Sequence, residues 1–155
     1  MKYWLFKSEP DDFSIDDLAA SDKQTTFWFG IRNYQARNFI RDELQPDDLI
    51  LFYHSSCAVP AVVGTAIVVS EAQTDNTAFD PQSPYFDAKS DPSKPRWLGV
   101  DIQFQRKFAT PVTLRFIKQD EQLQRMYLVQ KGNRLSIQPV TEDEWQRILT
   151  LGGAQ

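Results

Sequence analysis

Residues 28–39 combine aromatic rings with guanidinium and amide groups around a single glycine, just before a predicted helix. Proteins bind a flat polar ring by stacking an aromatic face on it and by hydrogen-bonding its edge. This stretch therefore predicts one wall of a small pocket for a nucleotide base. The alternative is that Trp28, Phe29 and Phe39 belong to the core and the arginines to a solvated helix face, because aromatic side chains are usually buried for their area.

Polar side chains of similar chemistry stand at the ends of predicted strands and in one turn. Each of them is also an ordinary turn or strand-end residue, so no single one is specific for ligand binding. Together with the aromatic stretch they form a candidate constellation. They are Lys7 and Ser8, then Tyr53, His54 and Ser55, and finally Asn133 and Arg134.

Metal and cofactor chemistry find little support in the residue types. One histidine and one cysteine are too few for the ligand set of a zinc site. The glycines at positions 30, 64 and 132 are isolated, so they do not form a phosphate-cradling loop. We therefore predict no metal and no cofactor.

Catalysis stays open as an alternative. His54 stands beside Ser55 and close to Cys57, which would place a base near a nucleophile. However, adjacent residues of an extended segment point to opposite faces, and proximity in sequence does not make a catalytic triad. The enzymatic alternative is a protein that acts on a nucleotide or a modified nucleic acid, with His54 as acid–base and Tyr53 or Ser55 assisting.

Length and charge limit the classes of protein that fit. A chain of 155 residues predicts a single domain, residues 1–155, with one substantial core. The formal net charge of −4 provides no global basic field, so nucleic-acid binding would need a local basic patch and a specific pocket. The single cysteine fits a reduced compartment. No apolar stretch is long enough to span a bilayer and no signal-peptide cleavage site is present, so we predict a cytoplasmic protein without membrane contact.

The apolar patterns predict an α+β fold. Some five or six strands, mostly antiparallel, would form a small, partly open barrel with short helices around it. Helices are predicted at residues 15–21, 33–44 and 142–150, and short helices or turns at 112–118 and 121–128, with residues 21–26 as loop. The clearest strands are residues 3–6, 49–54, 61–70, 97–108 and 135–140.

The long irregular segment at residues 73–95 is the remaining feature. It holds four prolines and the exposed-looking aromatic residues Phe79, Tyr85 and Phe86. A loop of this length in a small domain is usually functional or mobile. It could fold over the pocket, or it could be ordered and inert.

Seven stretches, in order, carry a resemblance that covers nearly the whole chain. They are KYWLFKSEPDDFSIDDL, WFGIRNYQARNFIRD, DDLILFYHSSC followed by PAVVGTA, FDPQSPYFDAKS, PRWLGVDIQF, RKF with PVTL, and GNRLSIQPVT with EW. Together they resemble the EVE domain family of the PUA-like superfamily. The resemblance implies a PUA-like β pseudobarrel decorated with helices, and a cavity for a modified nucleobase, because the related YTH domains hold methylated adenine in an aromatic cage.

The resemblance also implies a function and a set of site residues. Family members are described as readers of modified bases such as 5-methylcytosine and its oxidised forms. We therefore predict a non-enzymatic nucleic-acid-binding module that reads a modified base in RNA or DNA, with Trp28 as a wall of the aromatic cage. The other implied pocket residues are Ser8, Arg32, Asn33, Tyr34, His54 and Ser55, and the implied rim or phosphate contacts are Lys7, Asn133 and Arg134.

Overall fold

The computed structural model describes residues 1–153, and within them the chain forms one mixed seven-stranded sheet with four α-helices and four single-turn 3-10 helices. The fold is α+β, as predicted. The strands are β1 (Tyr3–Ser8), β2 (Thr25–Trp28), β3 (Leu49–His54), β4 (Ala61–Val68), β5 (Gln73–Thr74), β6 (Leu98–Thr113) and β7 (Ile137–Val140). The helices are α1 (Ile15–Ala20), α2 (Tyr34–Asp42), α3 (Leu114–Gln119) and α4 (Glu142–Gly152), and the 3-10 helices are Asp22–Gln24, Asn76–Phe79, Glu121–Leu123 and Tyr127–Val129.

The order of the strands places two strand ends side by side. The sheet runs β2-β6-β4-β3-β1-β7, with β5 paired to β6. β1 and β3 are parallel and bring Ser8 opposite His54, whereas the other pairs are antiparallel. Because the two parallel strands end together, the residues after Ser8 and after His54 meet at one edge of the sheet.

The core lies on both faces of the central strands, since successive side chains of a strand point to opposite faces. Phe6 and Phe52 pack with α1 and α2 on one face, and Leu5 and Leu51 pack with α3 and α4 on the other. Trp28 of the outer strand β2 contacts Phe6 and Phe52 of β1 and β3, so the sheet curves around the first of these two clusters.

The sheet has more strands than the sequence predicts. Residues 21–26 were expected to be loop, but Thr25 already pairs with Gln103, because β6 offers β2 a free edge. β5 is the second additional strand, and its two residues pair with Leu98 and Gly99. Both strands are too short to carry a pattern of their own.

β6 also continues beyond residue 108, where the predicted strand ends. Val112 and Thr113, expected in a short helix or turn, pair with β4 instead. The register jumps from Val62 opposite Val112 to Gly64 opposite Lys107, so Pro111 lies in an irregularity where no ladder hydrogen bond is required of it. Gly64 lies beside this irregularity, and a Cβ atom there would collide with the carbonyl oxygen of Arg106.

The predicted helix starts are confirmed. Ser14 with Asp17 and Thr141 with Glu144 form capping boxes, and Asn33 caps α2.

The helix ends differ slightly from prediction. α2 ends at Asp42 rather than at residue 44. α4 includes Gly152, and the left-handed residue that caps it is Gly153, with a φ of 74°. Ala154 and Gln155 of the predicted domain lie outside the described residues. Within residues 1–153, no helix has both the length and the apolar character needed to cross a membrane.

Candidate functional site

A cleft of about 470 Å³ opens where β1 and β3 end, and its size is that of a small-molecule site, about 300–1,000 Å³. Its lining combines aromatic with polar residues. The aromatic residues, which we call the aromatic side, are Phe13, Phe27, Trp28, Phe29 and Tyr85. The polar residues, which we call the polar side, are Lys7, Ser8, Glu9, Asp12, Thr26, Ser55, Ser56 and Ser136, while Gly30 and Ile31 complete the lining.

Trp28 belongs both to the cleft and to the core. Its ring lies 5.9 Å from that of Phe6, 6.0 Å from Phe13 and 5.7 Å from Phe52, measured between ring centroids. The residue is nevertheless half-buried rather than buried, and it lines the cleft. Trp28 therefore fits both interpretations of the sequence, as a pocket wall and as a core residue. Neighbouring rings fix the orientation of its indole, which still lines the cleft.

A buried carboxylate fixes the turn after Trp28. Gly30 has a φ of 84°, a conformation that suits glycine, and its N–H donates to Asp75 Oδ2 over 2.8 Å. The Asp75 side chain is fully buried, and its Oδ1 accepts from the N–H and the hydroxyl of Thr77. Burial raises the pKa of Asp75, but the hydrogen bonds from Thr77, Gly30 and Arg32 outweigh this and hold it below 3.8.

Arg32 connects this turn to the long loop. Its Nη1 donates to Asp75 Oδ2 over 3.0 Å and to its neighbour's carbonyl, and its Nη2 donates to Thr77. Nε and Nη2 both donate to the carbonyl of Tyr85, over 3.0 and 2.8 Å. All five donors of the guanidinium are thus engaged within the protein, so Arg32 holds the cleft wall together and leaves no N–H group for a phosphate.

Tyr85 brings the loop at residues 73–95 into the cleft. A Cβ atom on Gly30 would lie 2.8 Å from Tyr85 Cε1, so the glycine also provides the space for this ring. The Arg32 guanidinium lies 5.7 Å from the centre of the Tyr85 ring and 5.3 Å from Trp97, both within cation–π range. The loop is therefore ordered against the cleft, because its residues Asp75 and Tyr85 contact Gly30 and Arg32.

The polar side of the cleft includes the ends of β1 and β3, which are joined by a backbone hydrogen bond. Ser8 donates its hydroxyl proton to the carbonyl of Phe13, and its carbonyl accepts from the N–H of Ser55 over 2.9 Å. Lys7 is half-buried, and burial lowers the pKa of its amine. Among residues 1–153, Lys7 takes part in no ion pair. A partly desolvated amine without an acidic partner suits a ligand that brings negative charge or a carbonyl oxygen.

His54 lies next to the cleft but has a structural contact. Its Nε2 accepts the N–H of Ile15, the first residue of α1, over 3.1 Å. Burial lowers the pKa of His54, the nearby Asp16 opposes that shift and Lys107 adds to it. A neutral ring with its proton on Nδ1 satisfies this arrangement. Burial likewise raises the pKa of Tyr53 to about 12, and Cys57 adds to the shift.

The contact between His54 and Ile15 predicts a pH dependence of stability. The folded pKa lies below the usual 6.5, so His54 contributes its stability fully above that value and loses it as the pH falls through the folded pKa. In His54→Gln the amide oxygen can accept the same N–H without titrating. We expect the free energies of unfolding of wild type and variant, from urea denaturation, to diverge only on acidification below pH 6.5. Parallel curves over the whole range would contradict this role.

The other predicted residues lie outside the cleft lining. The Asn33 side chain accepts from the N–H of Ala36 as the cap of α2. Tyr34 packs on Trp97 at 4.8 Å between ring centroids, and its hydroxyl accepts from Arg96. The cleft lining therefore contains Lys7, Ser8, Trp28 and Ser55 of the predicted set.

The predicted rim turn also lies outside the lining. Asn133 donates to the carbonyl of Tyr127 and accepts from the N–H of Leu135, and Arg134 is exposed. Ser136, two residues on, does line the cleft, because its carbonyl accepts from the backbone N–H of Lys7.

Sequence reasoning missed Asp75 as the residue that joins the two walls of the cleft. Asp75-Asn76-Thr77 carries a local signal, since aspartate two residues before threonine is typical of an Asx turn or helix cap. That signal predicts the contact to Thr77 but not those to Gly30 and Arg32. Tyr85 and Phe13 had no local signal beyond being aromatic.

Comparison with known proteins confirms the resemblance. The model of the EVE domain matches residues 2–151. Human thymocyte nuclear protein 1 is 40% identical over 166 residues, which cover 96% of this chain and 73% of the human protein. The crystal structure of protein PSPTO5229 from Pseudomonas syringae is 48% identical, with a TM-score of 0.91 over 96% of this chain and 98% of that one.

The same human protein, THYN1, was crystallised with a ligand. The structure of human THYN1 in complex with DNA containing 5-methylcytosine is 38% identical, with a TM-score of 0.94 over 100% of this chain and 99% of that one. Both the family model and the relatives span nearly the whole chain. The chain therefore belongs to the EVE domain family.

Proposed function

We propose that this protein binds nucleic acid and holds a modified base in the cleft between Trp28 and the end of β1, without catalysing a reaction. The observation that carries the proposal is one cleft lined both by aromatic rings and by polar groups, among them the Lys7 amine, which has no ion pair within residues 1–153. The relationship to human THYN1, crystallised with 5-methylcytosine-containing DNA, makes that base in DNA the first ligand to test. We further infer that the curved seven-strand sheet is the PUA-like pseudobarrel of the family.

The proposal gives each cleft residue a task. Trp28 and Tyr85 offer rings for stacking, while Ser8 and Ser55 offer hydrogen-bonding groups to the edge of the base. Lys7 offers a positive charge to a carbonyl oxygen or phosphate. Arg32, Asn33, Tyr34 and His54 are assigned to support, because each has a side-chain polar atom that is hydrogen-bonded within the protein. Asn133 and Arg134 stay predicted rim residues.

The acidic net charge determines where the affinity for nucleic acid is expected to come from. A chain with a net charge of −4 does not gain affinity over a long phosphate footprint. Affinity must come from the cleft, so a modified base should matter more than the length of the polymer. The cytoplasmic location also stays a prediction, and the human relative is named a nuclear protein.

The experiment that tests the proposal compares matched oligonucleotides. Single-stranded DNA with one central 5-methylcytosine and the same strand with cytosine are titrated by fluorescence anisotropy at one stated salt concentration, beside the corresponding RNA pair. We expect tighter binding of the modified strand in at least one pair. Equal affinity for modified and unmodified strands in both pairs would contradict the proposal.

Replacing Lys7 by methionine tests the polar side. The thioether keeps the length of the stem but removes the charge, so we expect a higher Kd and a slope of log K against log salt reduced by about 1. Lys118→Met is the matched control, because Lys118 is exposed near the end of α3 and outside the cleft lining. An unchanged slope in Lys7→Met would exclude a phosphate contact, and an unchanged Kd as well would remove Lys7 from the ligand-binding residues.

The enzymatic alternative has weaker support. His54 would have to give up the N–H of Ile15 to use Nε2 as a base, and the raised pKa of Tyr53 disfavours an ionised phenol. Analysis of the recovered oligonucleotide by mass spectrometry distinguishes the two functions. An unaltered mass after long incubation supports a reader, and an altered mass that depends on His54 supports an enzyme.

A further inference from the structure

We propose that three rings of the cleft lining, two of them exposed, form a second stacking site, which binds the nucleotide next to the base in the cleft. We call Phe27, Phe29 and Tyr85 the aromatic ledge. The inference rests on the proposed function and extends it, because it specifies the strand that the protein prefers. The ligand is an unpaired strand of at least two nucleotides, rather than an isolated base.

The ledge exposes large apolar surface at one place. Phe29 is 45% exposed and Tyr85 38% exposed, and Phe86 beside them is 43% exposed. The Phe27 and Phe29 rings are stacked, 6.2 Å apart with 13° between their planes, and Phe29 meets Tyr85 edge to face at 5.7 Å. Single exposed aromatic residues are ordinary, but a cluster of them beside a cleft is typical of a binding surface.

The ledge is held rigidly. The Gly30 turn follows Phe29 directly and is fixed by Asp75, and the carbonyl of Tyr85 is held by two donors of Arg32. Neither ring therefore has to be ordered when a ligand binds. A preorganised aromatic surface binds at a lower entropic cost than a mobile one.

Continuity with the cleft indicates the occupant. Phe29 and Tyr85 line the cleft and are also exposed, so the surface continues from the cleft onto the ledge. Successive nucleotides are joined by a short backbone, so the neighbour of a base in the cleft has to lie near the mouth. Every base offers a π-face, which makes aromatic stacking tolerant of sequence. A nucleotide whose base stacks on the protein no longer stacks on the adjacent bases of a duplex. The ledge therefore favours an unpaired strand over a duplex.

The test compares 5-methyldeoxycytidine with a trinucleotide that carries the same base at its centre. Calorimetry measures both affinities in wild type, Phe29→Ala and Phe116→Ala. We call the affinity for the trinucleotide divided by that for the nucleoside the trinucleotide advantage. Phe116 is 46% exposed on α3 and outside the cleft lining, so it is a matched control. We expect Phe29→Ala to reduce the trinucleotide advantage about 5- to 150-fold, the loss of one stacked base, and Phe116→Ala to keep it.

The outcomes separate this inference from the proposed function. If the nucleoside binds but Phe29→Ala keeps the full trinucleotide advantage, the ledge proposal is overturned and the reader proposal stands. If modified and unmodified trinucleotides bind equally and both depend on Phe29, the ledge stands and selective reading fails. Wild type without any trinucleotide advantage, or a preference for duplex over single strand, would also overturn the ledge.

Discussion

Replacing Asp75 with alanine is expected to lower the free energy of unfolding by about 3 kcal/mol and to open the cleft. The Asp75 side chain is fully buried, and it accepts hydrogen bonds from Gly30, Arg32 and Thr77. Removing it leaves Arg32 without its only carboxylate among residues 1–153. The value lies at the low end for a broken buried ion pair, because the Arg32 side chain is 23% exposed. Urea denaturation measures this change.

Two further variants make the test specific. Asp91→Ala removes a carboxylate that caps a turn near the end of the same loop, where it is exposed, so stability should be nearly unchanged. Asp75→Asn keeps the shape and one acceptor oxygen, but its amide N–H groups face the donors of Gly30 or Thr77. Its free energy of unfolding should therefore lie between those of Asp75→Ala and wild type. Equal stability of Asp75→Ala and Asp91→Ala would show that Asp75 does not hold the wall.

Trp28→Ala is expected to weaken binding of the modified oligonucleotide by about 1–3 kcal/mol, the contribution of one base stacked on an aromatic side chain. The same change should lower the free energy of unfolding by about 3 kcal/mol, because Trp28 packs on Phe6, Phe13 and Phe52. Affinity is measured by anisotropy at a temperature where the variant is folded, and stability by urea denaturation.

The loss of affinity must be separated from the loss of stability. Ile148→Ala is a suitable control, because Ile148 is fully buried in the second core cluster and its loss costs a comparable 2–5 kcal/mol, roughly. We expect Ile148→Ala to be destabilised and to bind normally. If Trp28→Ala binds as well as Ile148→Ala, Trp28 is a core residue alone and the base lies elsewhere.

Local features of the chain were predictable from sequence. Asn33 as the cap of α2 and the capping box of Ser14 with Asp17 involve residues at most three positions apart, so the residue types determine them. The apolar run of β3 likewise predicts a central strand, because it is buried on both faces. These elements already bring Ser8 and Ser55 to the cleft.

Distant pairings were not predictable in the same way. Arg32 was predicted to line the pocket, but its guanidinium is engaged by Asp75 and Tyr85, which lie 43 and 53 positions away in the chain. Thr25 forms a strand only because β6 lies beside it, and Pro111 is tolerated in β6 only because the register shifts there. Such contacts depend on the tertiary arrangement rather than on local preference.

The place where the modified base binds is tested most directly by an isotope-filtered nuclear Overhauser spectrum of the protein with an oligonucleotide that carries 5-methylcytosine. The methyl protons of the base report which side chains surround it. If the cleft holds the modified base, we expect contacts from that methyl group to ring protons of Trp28 and Tyr85. Contacts to Trp145 and Leu149 in the groove beside α4, without any to Trp28, would contradict the claim that the cleft holds the modified base.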